Sequence, residues 1–260
     1  MAMSKQRKKK GKKLNYSIYI VCEGTNTEPI YFKEIAELED VLKKEYRVTV
    51  YPTEEDQIKA SKKEGESIKT DALNLVKIAT REREIHNYDE VWAVFDKDGY
   101  TKHQEAFLYA KRHGVNLAFS SIAFEHWILL HYEQNRTDFP KSQNVIDYLK
   151  DAGYFTAYSK KADILIYDKL KDLTKTAIEN AAWLRREMAK DLAACDNQIY
   201  ELNPYTTVDE LVMKLLDFNP VTYGYIKETV KISDYSITVN DVQRHCGITL
   251  SGEHPGFVNG

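Results

Sequence analysis

The chain has 260 residues, 43% of them hydrophobic and 12% aromatic, which suffices to fill a core and excludes wholesale disorder. No apolar run approaches the roughly 20 residues that span a bilayer, and no apolar stretch follows the basic N-terminus to make a secretory signal. The net charge of −3 hides an asymmetry: residues 1–14 carry seven cations and no acid, so the other 30 cations face 40 acids and the body sits at −10.

Lys8, Lys9, Lys10, Lys12 and Lys13 of that arm are candidate phosphate contacts whose contribution would weaken with salt. Their plainer reading is an unstructured, solvated arm. Cys22, Cys195 and Cys246 are widely spaced with no CxxC pattern, which fits free thiols in a reducing compartment. The expected location is the cytoplasm, with no membrane partner.

Residues 16–22 form a β-branched and aromatic apolar run, the pattern of a buried strand. Glu23-Gly24 ends it, and Thr25 or Thr27 is placed to cap a helix over about 29–44. Residues 46–51 alternate as a second strand does, and a Lys/Glu-rich loop over 53–66 leads to a helix over about 67–84. Residues 90–95 give the clearest strand, ending at Asp96. A helix over 102–113 stops at Gly114, a fourth strand covers 115–119, and a helix over 124–133 follows directly. This alternation predicts an α/β fold with a mostly parallel sheet wrapped by helices.

The second half changes character. Residues 142–216 have helical periodicity, including one long helix between Asp163 and Cys195. Asn203-Pro204 interrupts it, and Thr206 or Thr207 restarts a short helix. Residues 222–226 and 235–239 alternate like strands. The expected organisation is a basic arm (1–14), a catalytic core (15–140), a helical region packed on it (141–218) and a small β-rich segment (219–260).

In an open α/β sheet, ligands bind beyond the carboxyl ends of the strands. That rule selects Glu23 after the first strand, Glu28 in the turn that follows, Asp96 and Asp98 after the third, and Glu125 after the fourth. Carboxylates held close repel one another, so a hard cation, Mg²⁺ or Mn²⁺, is their natural occupant. Such an ion suits phosphodiester chemistry, and the chain shows no Ser-His-Asp pattern that would suggest another route. Each residue also has a plainer reading. Asp96-Lys97-Asp98-Gly99 resembles an ordinary turn, and Glu23 or Glu125 could serve a surface or a helix start. His126 and His131 are five apart and poorly match a zinc pair, so packing is expected of them. Gly24-Thr25-Asn26-Thr27 lacks the placements of a P-loop.

Four stretches carry a family resemblance: Ile20-Val21-Cys22-Glu23-Gly24 with Thr27-Glu28-Pro29; Val94-Phe95-Asp96-Lys97-Asp98; Phe124-Glu125-His126-Trp127; and Asn203-Pro204 with Thr206-Thr207-Val208. In this order, over about 14–216, they resemble the RloB-like proteins. The resemblance implies a TOPRIM-type core. Glu23 would be its acid/base, Asp96 and Asp98 its metal pair, and Glu28 and Glu125 accessory groups. It further implies an Mg²⁺-dependent nuclease of anti-phage defence that cuts RNA, perhaps tRNA, or DNA, beside an ABC-type ATPase partner and with room for self-association. Two rivals stand beside it. Asp96-Lys97-Asp98 also resembles the first motif of haloacid-dehalogenase-type phosphatases, with Ser120 as a phosphate binder. The other rival is a non-catalytic module that binds nucleic acid or the ATPase.

Overall fold

Four apolar runs become parallel strands, β1 (Ser17–Cys22), β2 (Arg47–Tyr51), β3 (Glu90–Asp96) and β4 (Asn116–Ser121), with β1 and most of β3 and β4 buried and the edge strand β2 partly exposed. Their order in the sheet is β2-β1-β3-β4, so the chain leaves β1 to one side for β2 and returns to the other for β3. The switch point therefore lies between β1 and β3. The computed structural model describes residues 16–43, 46–53, 56, 71–97, 102–156, 158 and 165–217, in one compact unit that ends at Phe218. The basic arm, most of the loop expected over 53–66, and the strands expected at 222–226 and 235–239 lie outside the described residues.

One face of the sheet presents Tyr19, Val21, Val91, Ala93, Phe95 and Phe119 to two helices, α3 (Ala72–His86) and α4 (His103–His113). Asp71 caps α3 by accepting the Asn74 amide at 2.9 Å, and Asn87 ends it in the left-handed region. Gly114 ends α4 at φ 63°, where its missing Cβ avoids strain.

The opposite face, built on Ile18, Ile20, Cys22, Trp92, Val94 and Ala118, carries the thicker layer. It begins with α1 (Thr27–Ala36) and the short α2 (Glu39–Lys43), where a single longer helix was expected. Next come α5 (Phe124–Leu129) and α6 (Ser142–Asp151). The helix expected over 124–133 stops at Leu129, and the buried Asn180 side chain takes the Leu130 carbonyl at 2.8 Å. Trp127 is wholly buried, and its indole N–H donates to Tyr31 Oη at 3.1 Å. Emptying such a site to alanine costs on the order of 3–5 kcal/mol.

The long helix expected between Asp163 and Cys195 is instead α7 (Ile166–Leu170), a 3-10 turn over Lys171–Leu173, α8 (Thr174–Glu187) and α9 (Ala189–Ala194). The stretch contains no Gly or Pro, so tertiary partners decide its form. Glu34 of α1 accepts the amides of Ile166 and Asp168, both at 2.8 Å, which fixes the start of α7.

The fifth strand falls where the sequence suggests only a helix restart. β5 (Tyr205–Thr206) pairs antiparallel with the end of β4, and α10 (Val208–Leu216) follows at once. The Thr206 and Thr207 hydroxyls donate to the carbonyls of Phe119 and Leu117 at 3.2 Å each. The helical region adds a strand to the sheet and supplies about half of one core.

Candidate active site

The site grows from the place where β1 and β3 stop. Glu23 continues the parallel ladder one residue past β1, its amide donating to the Val94 carbonyl at 3.0 Å. That bond places its side chain beside the end of β3. There the Asp96 amide donates to Glu23 Oε2 at 3.1 Å, a charge-assisted bond across the switch point. Asp96 pairs in register with Ser120 of β4, and the Lys97 amide donates to the Ser120 carbonyl at 3.0 Å. His103, at the start of α4, lies within hydrogen-bond reach of the Asp96 carbonyl at 3.2 Å. Burial holds that imidazole below its usual pKa, with the Asp96 carbonyl opposing the shift. The backbone of Asp96 is thus held on three sides.

Glu28 is buried in the first turn of α1, where the helix N-terminus favours a negative charge. Its carboxylate folds back onto the chain: a Cβ built on Gly24 would meet Glu28 Oε2 at 2.5 Å. Gly24 is required here for close approach, since any side chain would displace that carboxylate. Asn26 occupies the cap position expected of a threonine, and its side chain makes no capping bond.

Glu125 is 1% exposed, in the first turn of α5. Its Oε1 accepts the phenolic proton of Tyr158 at 2.6 Å, and the Tyr158 oxygen lies 3.0 Å from Thr27 Oγ1 at the head of α1. Burial pushes the Tyr158 phenol well above its ordinary pKa, and the Glu125 charge adds to the effect, so Tyr158 stays protonated as a donor.

Glu23 and Asp96 lie at the ends of β1 and β3, and Glu28 and Glu125 lie in the first turns of the helices that follow β1 and β4. Asp98 and Lys8, Lys9, Lys10, Lys12 and Lys13 lie outside the described residues. Among the described residues, no three His, Cys, Asp or Glu side chains gather closely enough to hold an ion. The strand ends are shared, but a full cage is not seen. The donor set is nevertheless all oxygen, which fits Mg²⁺ or Mn²⁺, and the bare Cα of Gly24 leaves room for the Glu28 carboxylate.

Three further groups were not singled out from sequence. Lys97 donates its ammonium to the carbonyls of Glu201 at 2.8 Å and Leu202 at 3.3 Å, and burial lowers its pKa. It lines a cavity of about 590 Å³ with Arg136, Asp138, Glu201 and Asn203. Lys97 sits inside the Val94-Phe95-Asp96-Lys97-Asp98 stretch, so the sequence carries a signal for it. Tyr158 and His103 had none, because their partners are set by the fold.

Two expectations about neighbouring residues resolve clearly. His126 and His131 are wholly buried, and burial holds both at about 4. His131 Nδ1 lies 3.0 Å from the Trp127 carbonyl, so packing and hydrogen bonding account for it. Ser120, the phosphate binder of the phosphatase rival, is 0% exposed and donates to the Ala123 carbonyl at 2.8 Å. That hydroxyl is committed inside the turn, which removes its part in the rival.

Comparison with protein families places residues 18–215 within the description "RloB-like protein", about three quarters of the chain. No curated protein and no solved structure matches it. Among the described residues no helix is long and apolar enough to cross a membrane.

Proposed function

Since the chain belongs to the RloB-like family, we propose that its carboxylates form the active site of a metal-dependent nuclease with a TOPRIM-type core. The observation that carries this reading is the Asp96 amide bonded to Glu23 Oε2 at the β1–β3 switch point. Two acids from different strands are locked together where an open α/β sheet takes its ligand.

Glu23 and Asp96, with Asp98, Glu28 and Glu125, would hold Mg²⁺ or Mn²⁺. When bound, such an ion lowers the pKa of a water and offsets charge developing on a phosphoryl group. The chain's own part is positional. Asp96 is fixed through its backbone on three sides, Glu23 is oriented by one amide, and Glu28 is seated by Gly24. The Glu23 carboxylate would exchange a proton with the attacking water or the leaving group.

The substrate in this reading is RNA, with tRNA as first candidate, or DNA. The cellular role is that of an anti-phage effector working with an ABC-type ATPase in the cytoplasm. Residues 1–13 would contribute phosphate contacts, so their deletion should weaken nucleic-acid binding and flatten its salt dependence.

One observation favours a second reading, a module that binds without cutting: no three donors gather into a cage among the described residues. Incubation with total tRNA, single-stranded RNA and plasmid DNA in Mg²⁺, Mn²⁺ or EDTA, beside Asp96→Ala, separates the two. Metal-dependent cutting lost in the variant supports the nuclease. Tight binding with no cutting, in the presence of the ATPase, supports the module.

A further inference from the structure

A hydroxyl from the helical half of the chain links Glu125 to the start of α1. Tyr158 donates to Glu125 Oε1 at 2.6 Å, and Thr27 Oγ1 lies 3.0 Å from the same phenolic oxygen. The three residues are 1%, 1% and 6% exposed, so bulk water does not compete for these bonds. A phenol has a single proton. With that proton directed at the Glu125 carboxylate, the Tyr158 oxygen is an acceptor toward Thr27, and Thr27 must be the donor to it.

The direction of this chain matters. Thr27 opens α1 and precedes Glu28, while Glu125 opens in the first turn of α5. One phenol therefore spans the starts of the two helices that carry the accessory acids. We infer that Tyr158 is a positioning residue for the active site, setting Glu125 against the α1 start through the Thr27–Tyr158–Glu125 chain. This rests on the nuclease reading of the carboxylate edge and deepens it. The residue lies outside all four motifs that carry the family resemblance.

Hydrogen bonds from outside the ligand set orient carboxylates toward an ion, and removing one typically lowers affinity or activity by about 10- to 100-fold. A role confined to folding would act differently. Tyr158 would then be a peg on Phe155, whose ring centroid is 5.4 Å away, and loss of its hydroxyl would change stability alone.

The test is Mn²⁺ affinity of the full chain, read by electron paramagnetic resonance, with thermal unfolding measured alongside. Tyr158→Phe keeps the ring and should weaken Mn²⁺ binding by about tenfold. Thr27→Val should act in the same direction, and Thr27→Ser, which restores the hydroxyl, should return affinity to the wild-type value. Tyr154→Phe is the control, because its phenol donates to Glu133 at 2.7 Å instead. Should Tyr158→Phe fail to fold, the two Thr27 variants decide alone. Wild-type Mn²⁺ affinity in Tyr158→Phe or Thr27→Val, with binding lost in Asp96→Ala, overturns this inference and leaves the nuclease reading standing. A wild-type chain that binds no Mn²⁺ overturns both.

Discussion

Asp209 and Glu125 are buried to the same degree, 0% and 1% exposed, yet the fold serves them in different ways. Asp209 takes a two-pronged bond from Arg185, both contacts at 2.6 Å, and Arg185 also donates to the Thr206 carbonyl at 2.9 Å. Burial works against the Arg185 charge, and Asp209 more than restores it, holding the guanidinium above its ordinary pKa. Glu125 Oε1 accepts a hydrogen bond from the neutral Tyr158 phenol, which orients the carboxylate. The first arrangement ties α8 to α10 and β5. The second sits where the strands end, on a motif of the family. The guanidinium commits Asp209 to structure, and the phenol fixes the orientation of Glu125 after the end of β4.

The widest separation between the two kinds of acid should appear in activity. Asp96→Ala or Glu23→Gln is expected to lower metal-dependent cleavage by about 10³-fold. The metal-free protein should unfold at the wild-type temperature or slightly above it, since mutual repulsion is relieved. Full activity in either variant would remove the site assignment. Asp209→Ala should do the reverse. Leaving the guanidinium half-buried without its partner costs about 3 kcal/mol, a fall of roughly 10 °C in unfolding midpoint. An unchanged midpoint would mean that the buried pair does not hold the helical region to β5.

The next effect is one of pH. The folded state holds His131 at about 4, below the usual imidazole value, so the unfolded chain binds more protons between those limits. The stability this residue contributes is present above about pH 6.5 and is lost as pH falls toward 4. Between pH 7.5 and pH 5, His131→Gln should lose about 2 kcal/mol less than wild type in urea unfolding. Equal losses would show that the imidazole titrates normally in the folded chain. The smallest effect is expected from Gly24→Ala. Its Cβ collides only with the far end of Glu28, so stability should change by less than about 1 kcal/mol. Cleavage should fall about tenfold as the carboxylate is displaced, and a variant as active as wild type would show that Glu28 is a bystander.

Much of the carboxylate edge was legible because it rests on local signals. The strands are short apolar runs that stop at Glu23 and Asp96, and the switch-point rule needs only their order. What was not legible depends on distant partners. β5 is two residues long, and its ladder to β4 joins positions more than 80 residues apart. The stretch expected to form one helix after Asp163 contains no breaker, and its form follows from Glu34 reaching across from α1. Tyr158 has no motif around it, since its meaning comes entirely from Thr27 and Glu125. Arg185 and Asp209 likewise read as surface charges until α8 and α10 pack.

β5 also has a consequence for how the protein is made. A ribosome that has just read Glu125 has produced all four parallel strands, along with Glu23 and Asp96. The strand that pairs with the end of β4 is not yet made, with about 80 codons left to read before it. For the seconds this takes, the nascent sheet carries a bare rim of unpaired amides and carbonyls. A message cut short before Tyr205 would yield a chain with that rim permanently exposed, a substrate for chaperones and proteases, although every acid of the edge had already been translated.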